Sequence, residues 1–384
     1  QVGVYEDGRR EIAVTQNGIA GINVTRKLYV SERGYFGRWV ELLANPSPDP
    51  ITVDVRVSAQ LSNYYGSSFG PLRVVASSSG DTTIDAGDVW AVVDDNNPAD
   101  PYLVGNFPPI AFVMGGPGAA VGVGSASLTT SNNVVAYEWR QVTVPAGGRV
   151  ALMHFVAPQT SAAAGAASGE RLSGLAPEAL GALSALEAQQ TANFVVPSDL
   201  SSPIDPLPPF GGSIVGMVYE GDGTTRTPGS TSVRFRSDVA VFSREWSVSS
   251  NYSTGGFSIA ELTNRPIPLA SGSLRGVHPE SGVMSDWIPV ALSPETPSAT
   301  QNVVFTGTAI VEVRTERPDG SPVPGGQITS GNLQLSTTLP DRSTFSKLKG
   351  LGPQGVTEFF GVPMPGASNG YDFQSIGQHL QARV

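Results

Sequence analysis

The chain has 384 residues, 40% of them apolar, enough for two to four domains of roughly 100–200 residues each with sizeable cores. Its 45 glycines and 31 prolines, with charged residues at 15%, favour many turns over long helices and leave much of the polarity to Ser and Thr. A net charge of −10 without a basic patch argues against nucleic acid. The lack of cysteine removes disulfides, thiol nucleophiles and thiolate metal sites, and no apolar run reaches the roughly 18–20 residues of a membrane helix.

In chain order, the first part reads as a succession of strands. No leader pattern precedes it, and Gln1 already sits in strand pattern, so an upstream segment is expected to have been removed or to lie outside this sequence. "REIAVTQNGIAGINVTRKLYV" forms two alternating runs, with a hairpin turn expected at Gln16-Asn17-Gly18. "YFGRWVELLAN" follows, then the rigid turn "PSPDP". In "ITVDVRVSAQL", Ile51, Val53, Val55 and Val57 face one way and Thr52, Asp54, Arg56 and Ser58 the other, as in a half-buried antiparallel strand. "LRVVASSS", "VWAVVDD", "VVAYEWRQVTV" and "RVALMHFVA" continue the pattern to about residue 158.

The texture then turns Ala-, Leu- and Glu-rich. Pro177 suits a first helical turn and Leu180, Leu183 and Leu186 recur every three residues, predicting a helix over 177–193 that closes a domain spanning 1–194. Residues 195–211 hold clustered prolines without periodicity and read as a semi-rigid linker. Strands resume in two units, 212–305 and 306–384, the second shorter and read as incomplete. Each opens as strand, Asp-Gly turn, Pro-Gly, strand: "GSIVGMVYEGDGTTRTPGSTSVRF" and "GTAIVEVRTERPDGSPVPGGQITSGNL". The spacing is that of tandem β-sandwich modules.

These openings resemble the carboxypeptidase-regulatory-like (transthyretin-like) and related Ig-like modules of secreted bacterial proteins. The second match is the closer; the first has Arg226-Thr227-Pro228-Gly229 where the pattern has Pro-Val-Pro-Gly. "STGGFSI" and "GVTEFFGVP" resemble the glycine-aromatic element that opens a later strand in such modules. Upstream, "GINVTRKLYV", "GYFGRWVELLANPSPDPITVDVRV" and "SGDTTIDAGDVWAVVDD" resemble a β-rich domain of large bacterial extracellular proteins. The resemblance implies a secreted or cell-surface location and a non-catalytic, modular role. Related modules lock themselves with Lys–Asn isopeptide bonds. Here 212–305 holds no lysine, and Lys347 and Lys349 sit together in what reads as a loop, so no such bond is expected.

Candidate chemistry is thin. "GSSFG" matches G-x-S-x-G at Ser68, but a strand pattern follows where a nucleophile elbow needs a helix, and His154 reads as core or sheet face. "GGPGAAVGVG" misses both phosphate-loop spacings and reads as a packed glycine-rich turn. Asp94, Asp95, Asn96, Asn97 and Asp100 form the densest set of oxygen ligands, a candidate calcium site. The competing reading is a solvated turn whose side chains cap their own backbone. Asp81, Asp85 and Asp88 would join that site only if the loops meet. His154, His278 and His379 share no metal-binding spacing. Tyr64, Tyr65 and Phe69 are candidates for a sugar-stacking shelf, against a loop folded onto its own domain. Asn23 and Asn251 fit a glycosylation pattern but read as strand and turn residues.

The expected fold is therefore mainly β: a large N-terminal β-sandwich domain with one closing helix, then two Ig-like or transthyretin-like sandwiches. The expected role is a non-catalytic segment of a secreted bacterial surface or filament protein, without a cofactor unless calcium occupies the acidic loop. Its expected partners are copies of itself or other surface proteins. The alternatives are an accessory module binding carbohydrate or a partner, and an enzyme with an unrecognised site in the N-terminal domain.

Overall fold

The computed structural model describes residues 3–61, 71–95, 101–102, 107–259, 266–317, 319–322, 332–339, 343–352, 355–365, 371–376 and 381–383. Strands make up 48% and helices 9%, so the chain is mainly β, as expected. It divides into two compact units, residues 1–208 with 239–244, and residues 209–238 with 245–384.

The first unit contains β1 (Gly3–Glu6), β2 (Glu11–Ile19), β3 (Ile22–Val30), β4 (Gly37–Ala44), β5 (Ile51–Gln60), β6 (Arg73–Ser77), β7 (Trp90–Asp94), β8 (Ile110–Val113), β9 (Ser125–Thr129), β10 (Val134–Val144) and β11 (Arg149–Pro158). An eight-stranded sheet ordered β1-β2-β3-β4-β11-β8-β7-β6 packs on a three-stranded sheet ordered β5-β10-β9. The alternation read in β5 is realised. Ile51, Val53, Val55 and Val57 pack on the core between the sheets, around Trp139, Tyr137, Phe112 and Leu152, while Thr52, Asp54, Arg56 and Ser58 are exposed.

The larger sheet is covered on both faces. Side chains alternate along β11, so Leu152 points to the inter-sheet core while Ala151, Met153, Phe155 and Ala157 meet Leu172, Leu180, Leu183 and Phe194 on the helical side. Each large apolar side chain buried this way contributes about 1.5–3 kcal/mol.

Three helices supply that side where one was expected over 177–193: α1 (Ala162–Ser173), α2 (Pro177–Leu180) and α3 (Ala185–Gln190). Leu175 (φ 56°) and Ala182 (φ 57°) adopt the left-handed conformation, which ends a helix at each place. Pro177 does open α2, and Ser184 and Glu187 form a reciprocal capping box on α3. The Ala/Gly-rich α1 lies close on the sheet. A Cβ at Gly165 would come within 2.8 Å of Val92, and one at Gly169 within 2.7 Å of the Trp90 ring. Beyond α3, Val196 and Leu200 pack against the helix-side core, so the start of the proline-rich stretch belongs to the first unit.

The β2–β3 hairpin turns three residues later than the Asn17-Gly18 signal. Ile19 pairs with Ile22, and the turn residues Ala20 (φ 49°) and Gly21 (φ 82°) are both left-handed, the signature of a type I′ turn. Gly18 (φ 74°) instead lies in the register shift between Gln16 and Ile19. The Asn-Gly pair thus marks a bulge.

The second unit holds two sandwich-like sheet pairs. The first comprises β12 (Phe210–Tyr219), β13 (Ser232–Ser237), β14 (Glu245–Ser249), β15 (Gly256–Ile259), β16 (Ile267–Pro268), β17 (Gly272–Val277), β18 (Ile288–Val290), β19 (Ser298–Thr300) and β20 (Val303–Val304). One sheet centres on β12, with β15 and β16 antiparallel and β19 and β20 parallel to it; the other is ordered β14-β13-β17-β18. Ile214, Val218, Phe257 and Ile259 of one sheet and Val233, Phe235, Trp246 and Leu274 of the other are buried.

The second pair comprises β21 (Thr308–Glu316), β22 (Asn332–Thr338), β23 (Thr344–Gly350), β24 (Val356–Pro363), β25 (Tyr371–Ile376) and β26 (Gln381–Arg383), in sheets β24-β21-β26 and β23-β22-β25. Val311, Val313, Phe359 and Val362 meet Leu333 and Leu335 in its core. Lys347 and Lys349, read as loop residues, lie on β23, where alternating exposure marks a half-covered strand.

The two module openings share a local device. Asp222 accepts the Thr224 N–H and Asp319 the Ser321 N–H, each at 2.9 Å. The following glycines, Gly223 (φ 70°) and Gly320 (φ 82°), are left-handed. Each turn ends in an isolated antiparallel bridge, Tyr219 with Arg226 and Glu316 with Pro322. Residues 318 and 323–331 of the second opening lie outside the described residues. The glycine-aromatic elements fall on β15 and β24, as read from the sequence.

Candidate functional site

Tyr64, Tyr65, Phe69 and Ser68 lie outside the described residues, as do Asn96, Asn97, Asp100 and His379. Asp94 ends β7 in a buried position, and its carboxylate accepts the Asp95 N–H at 2.8 Å. Among the described residues, no three His, Asp or Glu side chains gather as a metal site would require.

The second acidic stretch organises its own loop. Buried Asp88 accepts from the Ser78 hydroxyl and from the N–H groups of Ser79 and Asp85. Asp81 accepts from the N–H and hydroxyl of Thr83 and from the Ser77 hydroxyl, and these donors hold its carboxyl below the usual range. Within "GGPGAAVGVG", Gly116 lies against Phe194 and the Ser173 carbonyl, as a packed glycine-rich turn would.

His154 sits on β11 inside the first unit. The Tyr137 hydroxyl lies 2.7 Å from its Nδ1, the Glu41 carboxylate 3.4 Å from its Nε2, and the Trp39 ring stacks on it at 5.6 Å. With Tyr137 donating to Nδ1, the ring proton resides on Nε2 and points at Glu41. Burial holds the imidazole below its ordinary value against the pull of Glu41, and burial pushes the Tyr137 phenol up. The ring is kept neutral and enclosed, which makes His154 a core residue.

A second buried network ties β1, β2, β3 and α3 together. The Lys27 ammonium contacts Glu6, Glu11 and Glu187, each at 2.8 Å. Burial works against its charge, but the three carboxylates outweigh burial and raise its pKa. Arg38, fully enclosed, donates to the carbonyls of Ala179 (2.9 Å) and Gly181 (2.6 Å) and pairs with Glu11 at 3.4 Å. Nearby, fully buried Asn193 donates to the carbonyls of Met114 and Met153 and accepts the Met153 N–H.

In the second unit, buried polar chemistry converges where its two sheet pairs meet. Glu220 follows β12, His278 follows β17, and Gly361 lies on β24. The Glu280 and Ser281 N–H groups both donate to His278 Nδ1, at 3.2 Å each. Nδ1 is therefore unprotonated, and Nε2 donates to the Glu220 carboxylate at 2.9 Å. The other Glu220 oxygen accepts the Gly361 N–H at 3.0 Å. The Glu220 and His278 side chains are wholly enclosed, and Phe305 meets the imidazole edge-on at 4.9 Å. Gly361 is left-handed (φ 61°), and a Cβ there would come within 2.5 Å of the imidazole. Beside this cluster, Lys349 pairs with Glu280 at 3.0 Å and Lys347 donates to the Glu280 carbonyl.

The sequence reading missed Glu220, His278 and Gly361 as a set. Its one local trace is a Glu and a His each just past an alternating run, where a strand delivers a side chain to the end of a sandwich. A groove of about 620 Å³ beside α3, lined by Ala185, Ala188, Phe194 and Val195 among others, holds no titratable side chain.

No family model matches the chain, and no curated protein does. Among solved structures, the Bacillus anthracis TIE protein is 9% identical, with 96% of this chain matched to 56% of that one at a TM-score of 0.19. A polysaccharide lyase is 7% identical over 76% of this chain and 36% of that one, at a TM-score of 0.27. A streptococcal ancillary pilin is 8% identical over 66% of this chain and 77% of that one, at a TM-score of 0.21. The chain thus spans little more than half of the TIE protein. At these identities and scores the likenesses do not fix a function.

Proposed function

We propose that the chain is a non-catalytic structural segment of a secreted bacterial surface or filament protein, its last two modules being of the carboxypeptidase-regulatory-like or Ig-like kind. It acts by holding neighbouring modules in fixed relation and by presenting sheet edges and faces to other subunits. The observation that carries this reading is the enclosed Glu220–His278–Gly361 cluster. Its donors and acceptors are used up in joining one sheet pair to the next, which is what a stiff spacer needs. The shared Asp-Gly openings and the resemblance they carry support the modular assignment. Immunogold electron microscopy of the source cells, with antibodies against this chain, tests the proposal. Label along extended surface structures is the expected result; label confined to the cell interior would overturn it.

A further inference from the structure

We propose that the outer face of the β13-β14-β17 sheet binds a uronic-acid polysaccharide, with Arg234 and Arg275 taking its carboxylates and Trp287 its sugar rings. This goes beyond the structural role above and stands or falls separately from it.

Alternation along these strands sends Val233, Phe235, Trp246 and Leu274 inward and leaves Arg234, Arg236, Glu245, Ser247, Ser273 and Arg275 on the other face. Arg234 and Arg275 are directly opposite each other in register. Two like charges in that position repel. Both lean on Glu245, at 3.0 Å and 3.3 Å, and Arg236 reaches the same carboxylate at 2.6 Å. One carboxylate thus touches all three guanidiniums. Each guanidinium carries five N–H donors in a planar fork suited to carboxylates, so Arg234 and Arg275 retain donor capacity for an incoming anion. Both remain partly open to solvent, with side chains 31% and 17% exposed.

The class of anion follows from the rest of the face. The Arg275 guanidinium lies 4.3 Å from the centre of the Trp287 ring, which steadies an indole that is still 37% exposed. Exposed Ser247 and Ser249 and half-buried Ser232 and Ser273 surround the arginines with hydroxyls. A hydroxyl-rich sheet face with one held aromatic and clustered arginines matches a chain of sugar rings bearing carboxylates. The net charge of −10 opposes any polyanion at long range, so attraction is local and weakens as salt rises.

Isothermal titration of the full chain with oligogalacturonate tests this, using its methyl ester as the uncharged control and polyglutamate as the ring-free control. Oligogalacturonate is expected to bind and both controls to fail. Arg234→Gln and Trp287→Ala should each weaken binding on the order of ten-fold, the loss of one charge-assisted or stacking contact. Ser247→Glu keeps every arginine but sets a carboxylate directly opposite Arg234 in register, where it takes up that guanidinium and repels an incoming anion; it should abolish binding, which covers the case in which another variant melts early. No binding by the wild type, unchanged binding in Ser247→Glu, or equal binding of polyglutamate would each overturn the proposal.

Discussion

Replacing Glu220 by Gln perturbs the joint of the second unit with the least change in shape. The carboxylate accepts two buried donors, His278 Nε2–H at 2.9 Å and Gly361 N–H at 3.0 Å. His278 cannot respond by changing tautomer, because two backbone N–H groups already occupy its Nδ1. The amide of Gln keeps one accepting oxygen and turns an NH₂ toward the other donor. One buried N–H is left unsatisfied, at a cost of about 1–3 kcal/mol. That corresponds to local opening about 5- to 150-fold more frequent, which native-state hydrogen exchange reads directly. Peptides covering 213–222, 276–283 and 356–363 should exchange faster by that factor, while peptides covering 149–158 in the first unit keep their protection. Unchanged exchange at the joint, or an equal rise in both units, would refute the reasoning.

Three further outcomes are expected. Asn193→Ala removes three buried hydrogen bonds and should cost about 3–5 kcal/mol, measured by urea unfolding followed through tryptophan fluorescence. Burial pushes the Glu187 carboxyl up, but Lys27 and the Ser184 hydroxyl and N–H bring it below the ordinary range. A depressed folded pKa contributes stability above the unfolded value, roughly 4.3, and that contribution is lost as pH falls through the folded value. Urea midpoints of the wild type should therefore drop on acidification from pH 5 to 3. In Lys27→Met, where Glu187 loses its cation, they should drop less or rise. Hydrogen bonds from the Thr225 hydroxyl and the Thr224 and Thr225 N–H groups hold the exposed Asp222 carboxyl at about 2, so its carboxyl carbon should titrate near that pH by NMR; a midpoint near the ordinary Asp value would show that the turn is open.

What was legible in the sequence was what depends on neighbours along the chain. The alternation of β5 fixes which face is buried, because a strand's side chains must alternate. The Asp-Gly openings are readable because an Asp side chain reaches the N–H two residues ahead, and a left-handed turn selects glycine. Local signals misplaced features when tertiary contacts chose among similar options. The β2–β3 turn falls on Ala20-Gly21 because the register with β3 keeps Ile22 buried against the inter-sheet core, and the Asn17-Gly18 signal is absorbed as a bulge. Lys347 and Lys349 lie in a strand because Leu335 of β22, opposite Lys347, completes the core from the neighbouring position. The joint could not be read from local signals. Glu220 and Gly361 are separated by 141 residues, and each alone is an ordinary acid or turn glycine.

The central claim is that the two sheet pairs of the second unit are held in one fixed relation by the Glu220–His278–Gly361 cluster. The chain has no cysteine, so spin labels can be placed on Ser247→Cys and Ser346→Cys, both exposed, without background. Pulsed electron–electron resonance should give a single narrow distance distribution, which broadens when Gly361→Ala pushes a Cβ into the His278 ring. A broad distribution in the otherwise wild-type chain, or one unchanged by Gly361→Ala, would contradict the account.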